Sequence, residues 1–331
     1  MLQMQNSTCP NFDRCGGCLY LNMPFQEYNE KKKNFIISSF LHEGIKAKLD
    51  DFISISFGTR RRATFAFSGK IIGFNSLKSH TIVPLDSCPA LTEKLSGILP
   101  ALKDLCSNLK KKGDISLLDR PEGIDIHIKT QKKEQPSLNE RMLLAEFTAN
   151  PNVVRLSYNF EPIVEKIHLP YPIDMFLQPS VEGEQALIKI VLDNLGSYTK
   201  VIDLFCGAGT FTKPLLQNGI QAIGYDCASD SVALLGEYAI KRDLFRNPLL
   251  AQELNKVKAV IMDPPRAGAK EQTKELAKSS VEKIIMISCN PITVARDVKH
   301  LISNGWTLTK LIGVDQFIYT NHVEVVSILE K

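Results

Sequence analysis

The sequence contains no apolar run of about 18 residues, the length that a helix needs to cross a lipid bilayer. Its first ten residues, MLQMQNSTCP, are polar and do not show the basic and then apolar order of a signal peptide. Internal repeats and low-complexity segments are also lacking. These absences exclude a helical membrane protein and a fibrous or disordered chain. They predict a soluble cytoplasmic protein, and nothing in the sequence demands more than a monomer.

A chain of 331 residues predicts about two domains. Hydrophobic residues make up 44% and charged residues 23%, ordinary values for a globular protein that buries sizeable cores. The eight cysteines, in a chain without an export signal, argue against a disulfide framework. In a reducing compartment, clustered cysteines more often hold metal or take part in chemistry.

Positive charge is concentrated in the first half of the chain. Residues 1–170 carry 23 basic and 18 acidic groups, and the remainder carries 17 and 18. Three short basic clusters lie in this half, at Lys31–Lys33, Arg60–Arg62 and Lys110–Lys112. They indicate either ordinary solvated faces or a phosphate-binding surface whose affinity would fall with salt.

Three regions follow one another along the chain. Residues 1–25 are short, irregular and cysteine-rich, and residues 26–168 show β-type alternation, as at Ile124, Ile126 and Ile128. Residues 169–331 alternate strand and helix patterns, which predicts an α/β domain with a parallel sheet covered on both faces. No helix pattern separates the last two strands, so we expect them to pair antiparallel.

A glycine turn follows the first strand of this α/β region. The segment DLFCGAGTF, from Asp203 to Phe211, leads from a strand into a helix, and the next strand ends at Asp226. Glycines let backbone amides approach a ligand, and the carboxylate at the next strand end can bind ribose hydroxyls. A dinucleotide or S-adenosylmethionine fits this arrangement. Thr212 stands where the pyrophosphate fingerprint requires a third glycine.

Two further loops follow neighbouring predicted strands. Asp263-Pro-Pro-Arg266 forms a rigid loop that directs a carboxylate to the ligand edge of the sheet. Ser288-Cys289-Asn290-Pro291 follows the next strand. Cys289 is either a small core residue or a nucleophile whose pKa is lowered by the helix that begins near Pro291.

Glu324 opens the last predicted strand. A carboxylate entering an apolar strand has a raised pKa and can serve as a base. The competing interpretation is a solvated strand end.

The remaining motif is Cys9, Cys15, Gly-Gly and Cys18, with Cys88 at a distance in the chain. Four thiolates suit either tetrahedral zinc or a four-iron cluster, and spacing alone does not choose between them.

Taken together, these motifs resemble those of the uracil-C5 RNA methyltransferases, which make 5-methyluridine in ribosomal and transfer RNA. The resemblance runs from Cys9 to Glu324 and rests on SHTIVPLDSC, FLQPS, DLFCGAGTF, DPPRAG, SCNPITVARD and DQFIYTNHVE. It implies a Rossmann-like class I S-adenosylmethionine-dependent methyltransferase domain. It also implies a β-rich RNA-binding domain and a [4Fe–4S] cluster. Members that carry these four cysteines generally act on 23S rRNA, which makes tRNA the less favoured partner.

The resemblance assigns roles residue by residue. Cys289 is the nucleophile that adds to C6 of uracil, and Glu324 is the base that removes the C5 proton. The cluster ligands are Cys9, Cys15, Cys18 and Cys88, and the residues assigned to S-adenosylmethionine are Gln178, Phe205, Thr210, Asp226, Asp263 and, less firmly, Asp243.

The chain departs from the family pattern near the adenosine end of this site. The family usually has glutamate where Asp226 stands, and only residues 227–242 separate Asp226 from Asp243. This spacing predicts an abridged edge of the cofactor site. Two other functions remain open: a base amino-methylase that uses the Asp-Pro-Pro loop without a thiol, and an RNA-binding protein that has lost cofactor binding.

Overall fold

The computed structural model describes residues 9–331, so residues 1–8 of the predicted cysteine-rich segment lie outside the described residues. The described chain forms two compact units. Unit 1 contains residues 9–23, 56–181 and 318–320. Unit 2 contains residues 24–55, 182–317 and 321–331.

The strands of residues 9–331 are β1 Asp51–Ser54, β2 Arg62–Ser68, β3 Ile71–Asn75, β4 Ile82–Pro84, β5 Lys112–Arg120, β6 Gly123–Thr130, β7 Val153–Tyr158, β8 Glu161–Glu165, β9 Lys200–Leu204, β10 Gln221–Asp226, β11 Ala239–Lys241, β12 Ala259–Met262, β13 Lys283–Ser288, β14 Thr307–Asp315 and β15 Glu324–Glu330. The α-helices are α1 Phe25–His42, α2 Glu93–Gly97, α3 Leu99–Leu109, α4 Leu138–Phe147, α5 Val181–Leu195, α6 Thr212–Gln217, α7 Ser229–Ala233, α8 Ala251–Leu254, α9 Lys270–Lys278 and α10 Pro291–Ile302.

Unit 1 is built on a seven-stranded sheet in the order β4-β3-β2-β5-β6-β7-β8. Phe65 and Phe67 are both buried on one side of β2, as their alternation predicts. The expected antiparallel pairing holds except between β6 and β7, which run parallel. Residues 131–152, which include α4, provide the crossover that a parallel connection requires.

Unit 2 contains an eight-stranded sheet in the order β1-β14-β15-β13-β12-β9-β10-β11. All neighbours run parallel except β15, which is antiparallel to both β13 and β14. The predicted antiparallel pairing of the last two strands is confirmed. The short connection at residues 316–323 allows no helical crossover, so the chain reverses direction there.

The boundary between the units differs from the predicted division at residues 26–168 and 169–331. Helix α1 and strand β1 belong to unit 2, and residues 169–181 belong to unit 1. Strand β1 pairs in parallel with β14, with Asp51 opposite Ile312. The hydrophobic pattern of so short a strand does not reveal a partner that lies far along the chain.

The segment after β10 is short, as its spacing predicts. It holds the five-residue helix α7, a 3₁₀ turn at Gly236–Tyr238 and the three-residue strand β11. A full helix does not fit between β10 and the edge strand. Within the described chain, no helix combines the length and hydrophobicity needed to cross a membrane.

Candidate active site

The predicted motifs of the α/β region meet at one edge of the unit 2 sheet. Strands β10, β9, β12 and β13 lie side by side and run parallel, so the loops that follow them emerge at the same edge. Ligands of open α/β sheets bind at this carboxyl edge.

The glycine turn after β9 takes a backbone conformation that few residues adopt. Phe205, Gly207 and Gly209 have φ values of 62°, 51° and 90°. The Gly207 N–H donates a hydrogen bond of 3.0 Å to Oδ2 of Asp226, whose Oδ1 accepts from the Ala228 N–H at 2.9 Å. The loops after β9 and β10 are therefore fixed to each other through the carboxylate predicted to bind ribose.

A second carboxylate, in the strand that precedes the glycine turn, bonds to the helix that follows it. Asp203 is fully buried in β9, and its Oδ2 accepts a hydrogen bond of 2.6 Å from Thr212 Oγ1 at the start of α6. Burial raises the pKa of Asp203 to about 7. This pair joins the strand before the glycine turn to the helix after it.

Two aromatic rings lie beside the turn. The Phe205 and Phe245 ring centroids are 5.4 Å apart. Asp243 positions the second ring, because its Oδ1 accepts hydrogen bonds from the backbone N–H groups of Phe245 and Arg246. Phe245 is exposed and was not predicted as a site residue, although an aromatic residue two positions after Asp243 was visible in the sequence.

Two other predicted cofactor residues take different positions. Thr210 is half-buried within the glycine turn itself. Gln178 is buried in unit 1, where its backbone carbonyl accepts a 2.9 Å hydrogen bond from Arg61 Nε. Arg61 is also buried, so this member of the basic cluster at Arg60–Arg62 is not part of a solvated face.

The loops after β12 and β13 are fastened together. The backbone carbonyl of Arg266 accepts hydrogen bonds from Asn290 Nδ2 at 3.0 Å and Thr293 Oγ1 at 3.1 Å. Asn290 also caps α10, since its Oδ1 accepts from the Ile292 N–H. These bonds set the Asp-Pro-Pro-Arg loop against the loop that carries Cys289.

The predicted lowering of the Cys289 pKa is wrong. Burial, with Glu324 and Asp263 nearby, raises the pKa of this thiol to about 11, although the positive charge of Arg266 opposes the rise. Loss of hydration and negative neighbours outweigh the start of α10 and the arginine. Cys289 is nevertheless partly exposed, not a sealed core residue.

Strand register brings Cys289 and Glu324 together. Ser288 at the end of β13 pairs with Val325 in the antiparallel strand β15. Cys289 follows the first of these residues and Glu324 precedes the second, so the two side chains begin from neighbouring backbone positions.

The environment of Glu324 is that of a carboxylate held out of water. The residue is 4% exposed, and burial raises its pKa to about 7, as the sequence predicts. Gln316 Nε2 donates a 3.1 Å hydrogen bond to its Oε1. Desolvation and the Glu324 charge also raise the pKa of Asp263 well above its usual value. The two carboxyl groups therefore resist being ionised together.

Arg266 also contacts His322. Its Nη2 lies against Nδ1 of the His322 ring and 2.9 Å from Nε2. A guanidinium can only donate, so the ring nitrogen that accepts carries no proton. Neither residue was predicted as a site residue, although both stood within the quoted motifs.

The four predicted metal ligands line one small cavity in unit 1: Cys9, Cys15, Cys18 and Cys88. Burial raises the pKa of the Cys15, Cys18 and Cys88 thiols, that of Cys18 to about 12, and the neighbouring cysteines add to the rise. Among residues 9–331, however, no three His, Cys, Asp or Glu side chains surround a single point closely enough to hold one metal ion.

The strand order of unit 2, its single antiparallel strand and its glycine turn define a Rossmann-like methyltransferase fold. The solved structure of Pyrococcus abyssi tRNA (uracil-54, C5)-methyltransferase in complex with S-adenosyl-L-homocysteine has the same fold. The TM-score is 0.73 at 21% identity, over 95% of this chain and 86% of that one.

Sequence comparison gives the family. Residues 237–331 match the family model described as tRNA (Uracil-5-)-methyltransferase. An RNA methyltransferase of Brucella suis biovar 1 (strain 1330) is 33% identical over 99% of this chain and 85% of its own length. The 23S rRNA (uracil(1939)-C(5))-methyltransferase RlmD of Mannheimia succiniciproducens is 28% identical over 99% of this chain and 82% of its own. The chain belongs to the RNA uracil-C5 methyltransferase family.

Proposed function

We propose that this protein transfers a methyl group from S-adenosylmethionine to C5 of a uridine in 23S rRNA, by way of a covalent bond between Cys289 and C6 of the base. The observation that carries the proposal is the register of β13 and β15, which places a thiol beside a buried carboxyl of raised pKa. A nucleophile and a base at one strand end match the two steps that C5 methylation requires.

The residues at the glycine turn fit S-adenosylmethionine. A side chain added at Gly207 would meet nothing within 4 Å, so the turn is open on that side, and Asp226 stands at the adjacent strand end. Phe205 and Phe245 offer apolar surface to an adenine or to the donor's carbon chain. When bound there, the cofactor supplies an electrophilic methyl group. We assign this site to Phe205, Thr210, Asp226, Asp243 and Asp263, and we retain Gln178 from the family resemblance.

The thiol acts first. Uracil C5 is a weak nucleophile, and addition of the Cys289 sulfur to C6 makes C5 electron-rich enough to attack a methyl group. The sulfur must lose its proton to react, and its pKa of about 11 opposes this at neutral pH. The positive charge of Arg266 favours the thiolate, so we assign Arg266 to activation of the nucleophile.

The carboxylate acts last. After methylation, C5 still carries its original proton, and Glu324 removes it so that the C5–C6 double bond re-forms and the thiolate leaves. A pKa of about 7 suits a group that must be ionised to accept this proton and then release it. The target base must leave its stack to reach these groups, which costs a few kcal/mol.

We further propose that Cys9, Cys15, Cys18 and Cys88 hold a [4Fe–4S] cluster. The four thiols line one cavity, which suits a set of thiolate ligands. The resemblance to the uracil-C5 RNA methyltransferases favours the cluster over zinc. We assign no electron transfer to it, because methyl transfer moves no net electrons.

The assignment to 23S rRNA rests on the four cysteines and on the relative named for that substrate. Transfer RNA is the alternative, since the structural neighbour is named for tRNA. Mass mapping of 5-methyluridine in both RNAs, from cells with and without the gene, separates the two. We expect one uridine of 23S rRNA to lose its methyl group, and loss from tRNA alone would overturn the rRNA assignment.

The chemistry is tested with RNA that contains 5-fluorouridine, because fluorine cannot leave C5 as a proton does. We expect the wild-type protein and the control variant Cys227→Ala to form a denaturant-resistant complex with this RNA, and Cys289→Ala to form none. Cys227 is exposed and lies after β10, away from β13 in the sheet order. Undiminished methylation by Cys289→Ala would refute the mechanism, and label recovered in adenine or cytosine would favour the amino-methylase.

A further inference from the structure

Unit 2 contains a buried cation on α1 that the sequence does not predict. Lys32 belongs to the basic cluster Lys31–Lys33, yet it is 2% exposed. Its Nζ forms a 2.8 Å ion pair with Oδ1 of Asp315, which is itself fully buried. Tyr28, one turn earlier on the helix, donates its hydroxyl hydrogen bond to Oδ2 of the same carboxylate.

Lys32 also bridges the two ends of the connection between β14 and β15. Asp315 is the last residue of β14, and the Lys32 ammonium donates a second hydrogen bond to the backbone carbonyl of His322. Both ends of the segment 316–321 are thus held by one side chain. The residue after Asp315 is Gln316, which donates to Glu324, and His322 precedes Glu324 by two positions.

A buried ion pair is a poor device for stability alone. Removing two charges from water is costly, and apolar residues of similar volume are often equally or more stabilising. What a directed pair provides is a fixed geometry: an ammonium with three donors specifies where a carboxylate and a carbonyl must lie.

We propose that Lys32 and Tyr28 are positioning residues that hold the 315–322 connection so that Glu324 meets the C5 proton of the methylated adduct. The inference rests on the proposed function, in which Glu324 is the base. It extends that function to a helix of unit 2 whose residues carry no catalytic motif.

The order of the chemical steps gives this role a specific signature. In the final step the C5–H bond breaks and its proton passes to the Glu324 carboxylate. The bonding electrons form the C5–C6 double bond, and the C6–S bond breaks to release the Cys289 thiolate. Addition of the thiol and transfer of the methyl group both come earlier. A displaced Glu324 therefore slows release and leaves methylated RNA covalently attached to the protein.

The test is a single-turnover reaction with labelled methyl donor, in which attached and free methylated RNA are measured over time. We expect Lys32→Met to slow release by about 10-fold to 100-fold, the range for a catalytic group misplaced by up to about 1 Å, with accumulation of the adduct. Lys33→Met is the matched control, because Lys33 pairs outward with Glu30. It should release product at the wild-type rate.

Two further variants separate positioning from stability. Lys32→Met/Asp315→Asn removes both buried charges. It should therefore recover most of the free energy of unfolding that Lys32→Met loses, yet still accumulate the covalent adduct. Tyr28→Phe keeps the ion pair and removes only one hydroxyl group, and it should show a smaller delay in release of the same kind.

The outcomes decide between the proposals. Two results would show that the network is structural and would overturn this inference alone. One is release at the wild-type rate by the double variant. The other is a slowing of adduct formation as large as that of release in Lys32→Met and Tyr28→Phe. Absence of methylated uridine with the wild-type protein would overturn the proposed function and this inference with it.

Discussion

The positive charge of the Arg266 guanidinium acts on the thiol of Cys289 and opposes the rise in its pKa. The same guanidinium contacts His322, and its backbone carbonyl is held by Asn290 and Thr293. The arginine is therefore fixed at both its main chain and its side chain. Its positive charge lowers the thiol pKa, and Glu324 and Asp263 act in the opposite direction.

Replacing Arg266 should make the thiol less reactive. In Arg266→Met the positive charge beside the thiol is lost, so the pKa of Cys289 rises and the thiolate fraction at a given pH falls. We expect slower alkylation of Cys289 by iodoacetamide at pH 8, by about 10-fold if the pKa rises by one unit. Arg246→Met, at an exposed position, is the control. An unchanged alkylation rate would remove Arg266 from the activation of the nucleophile.

Glu324→Gln should separate the first half of the reaction from the second. The amide keeps the shape of the side chain but cannot accept the C5 proton, so methylated RNA should stay attached to Cys289. The measurement is the denaturant-resistant complex with ordinary RNA, which wild-type protein should form only transiently. Glu330→Gln, at the other end of β15, should behave like wild type. Free product at the wild-type rate from Glu324→Gln would mean that another group is the base.

Activity should depend on pH through Glu324. The folded pKa of about 7 is raised, so below it the carboxyl is protonated and cannot act as a base. The rate of product release in single turnover should therefore rise about tenfold per pH unit between pH 5 and 6.5 and level off above pH 7.5. A release rate that is flat across this range would contradict the raised pKa.

Asp203 should make stability depend on pH with a definite sign. Its folded pKa of about 7 is above the unfolded value, so the folded state binds the proton more tightly. Its stabilising contribution is complete below about pH 4 and is lost as pH rises through 7, by at most about 1.4 kcal/mol per pH unit. Urea unfolding of Asp203→Asn should show a correspondingly weaker loss between pH 4 and 7. Parallel curves for the variant and the wild type would exclude this role.

The cysteine site should be visible by eye. Protein purified without air should be brown and absorb in the visible region if the site holds a [4Fe–4S] cluster, and Cys18→Ser should lose the colour. Cys227→Ser changes a cysteine of unit 2 and should keep it. A colourless wild-type protein that contains zinc would refute the cluster.

Much of the fold was predictable because its signals are local. Alternation along β2 and β6 placed Phe65 and Ile126 in the core, and the turn after β9 was visible in its glycines. The antiparallel direction of β15 followed from the shortness of the connection that precedes it. Helix α1 and strand β1 were not predicted, because the partner of β1 is a strand about 260 residues further along the chain.

In the candidate site, too, local signals were predictable from the sequence, and contacts between distant residues were not. Residue types and spacing made Cys289, Glu324 and the glycine turn candidates, and the family resemblance assigned their roles, which stay predictions. Only the tertiary structure decided the direction of the thiol pKa, because desolvation and the charges of Glu324, Asp263 and Arg266 compete at one point in space. It also decided that Lys32 lies inside the protein against Asp315. Burial and charge pairing are properties of neighbours in space, and for these residues the neighbours come from distant parts of the chain.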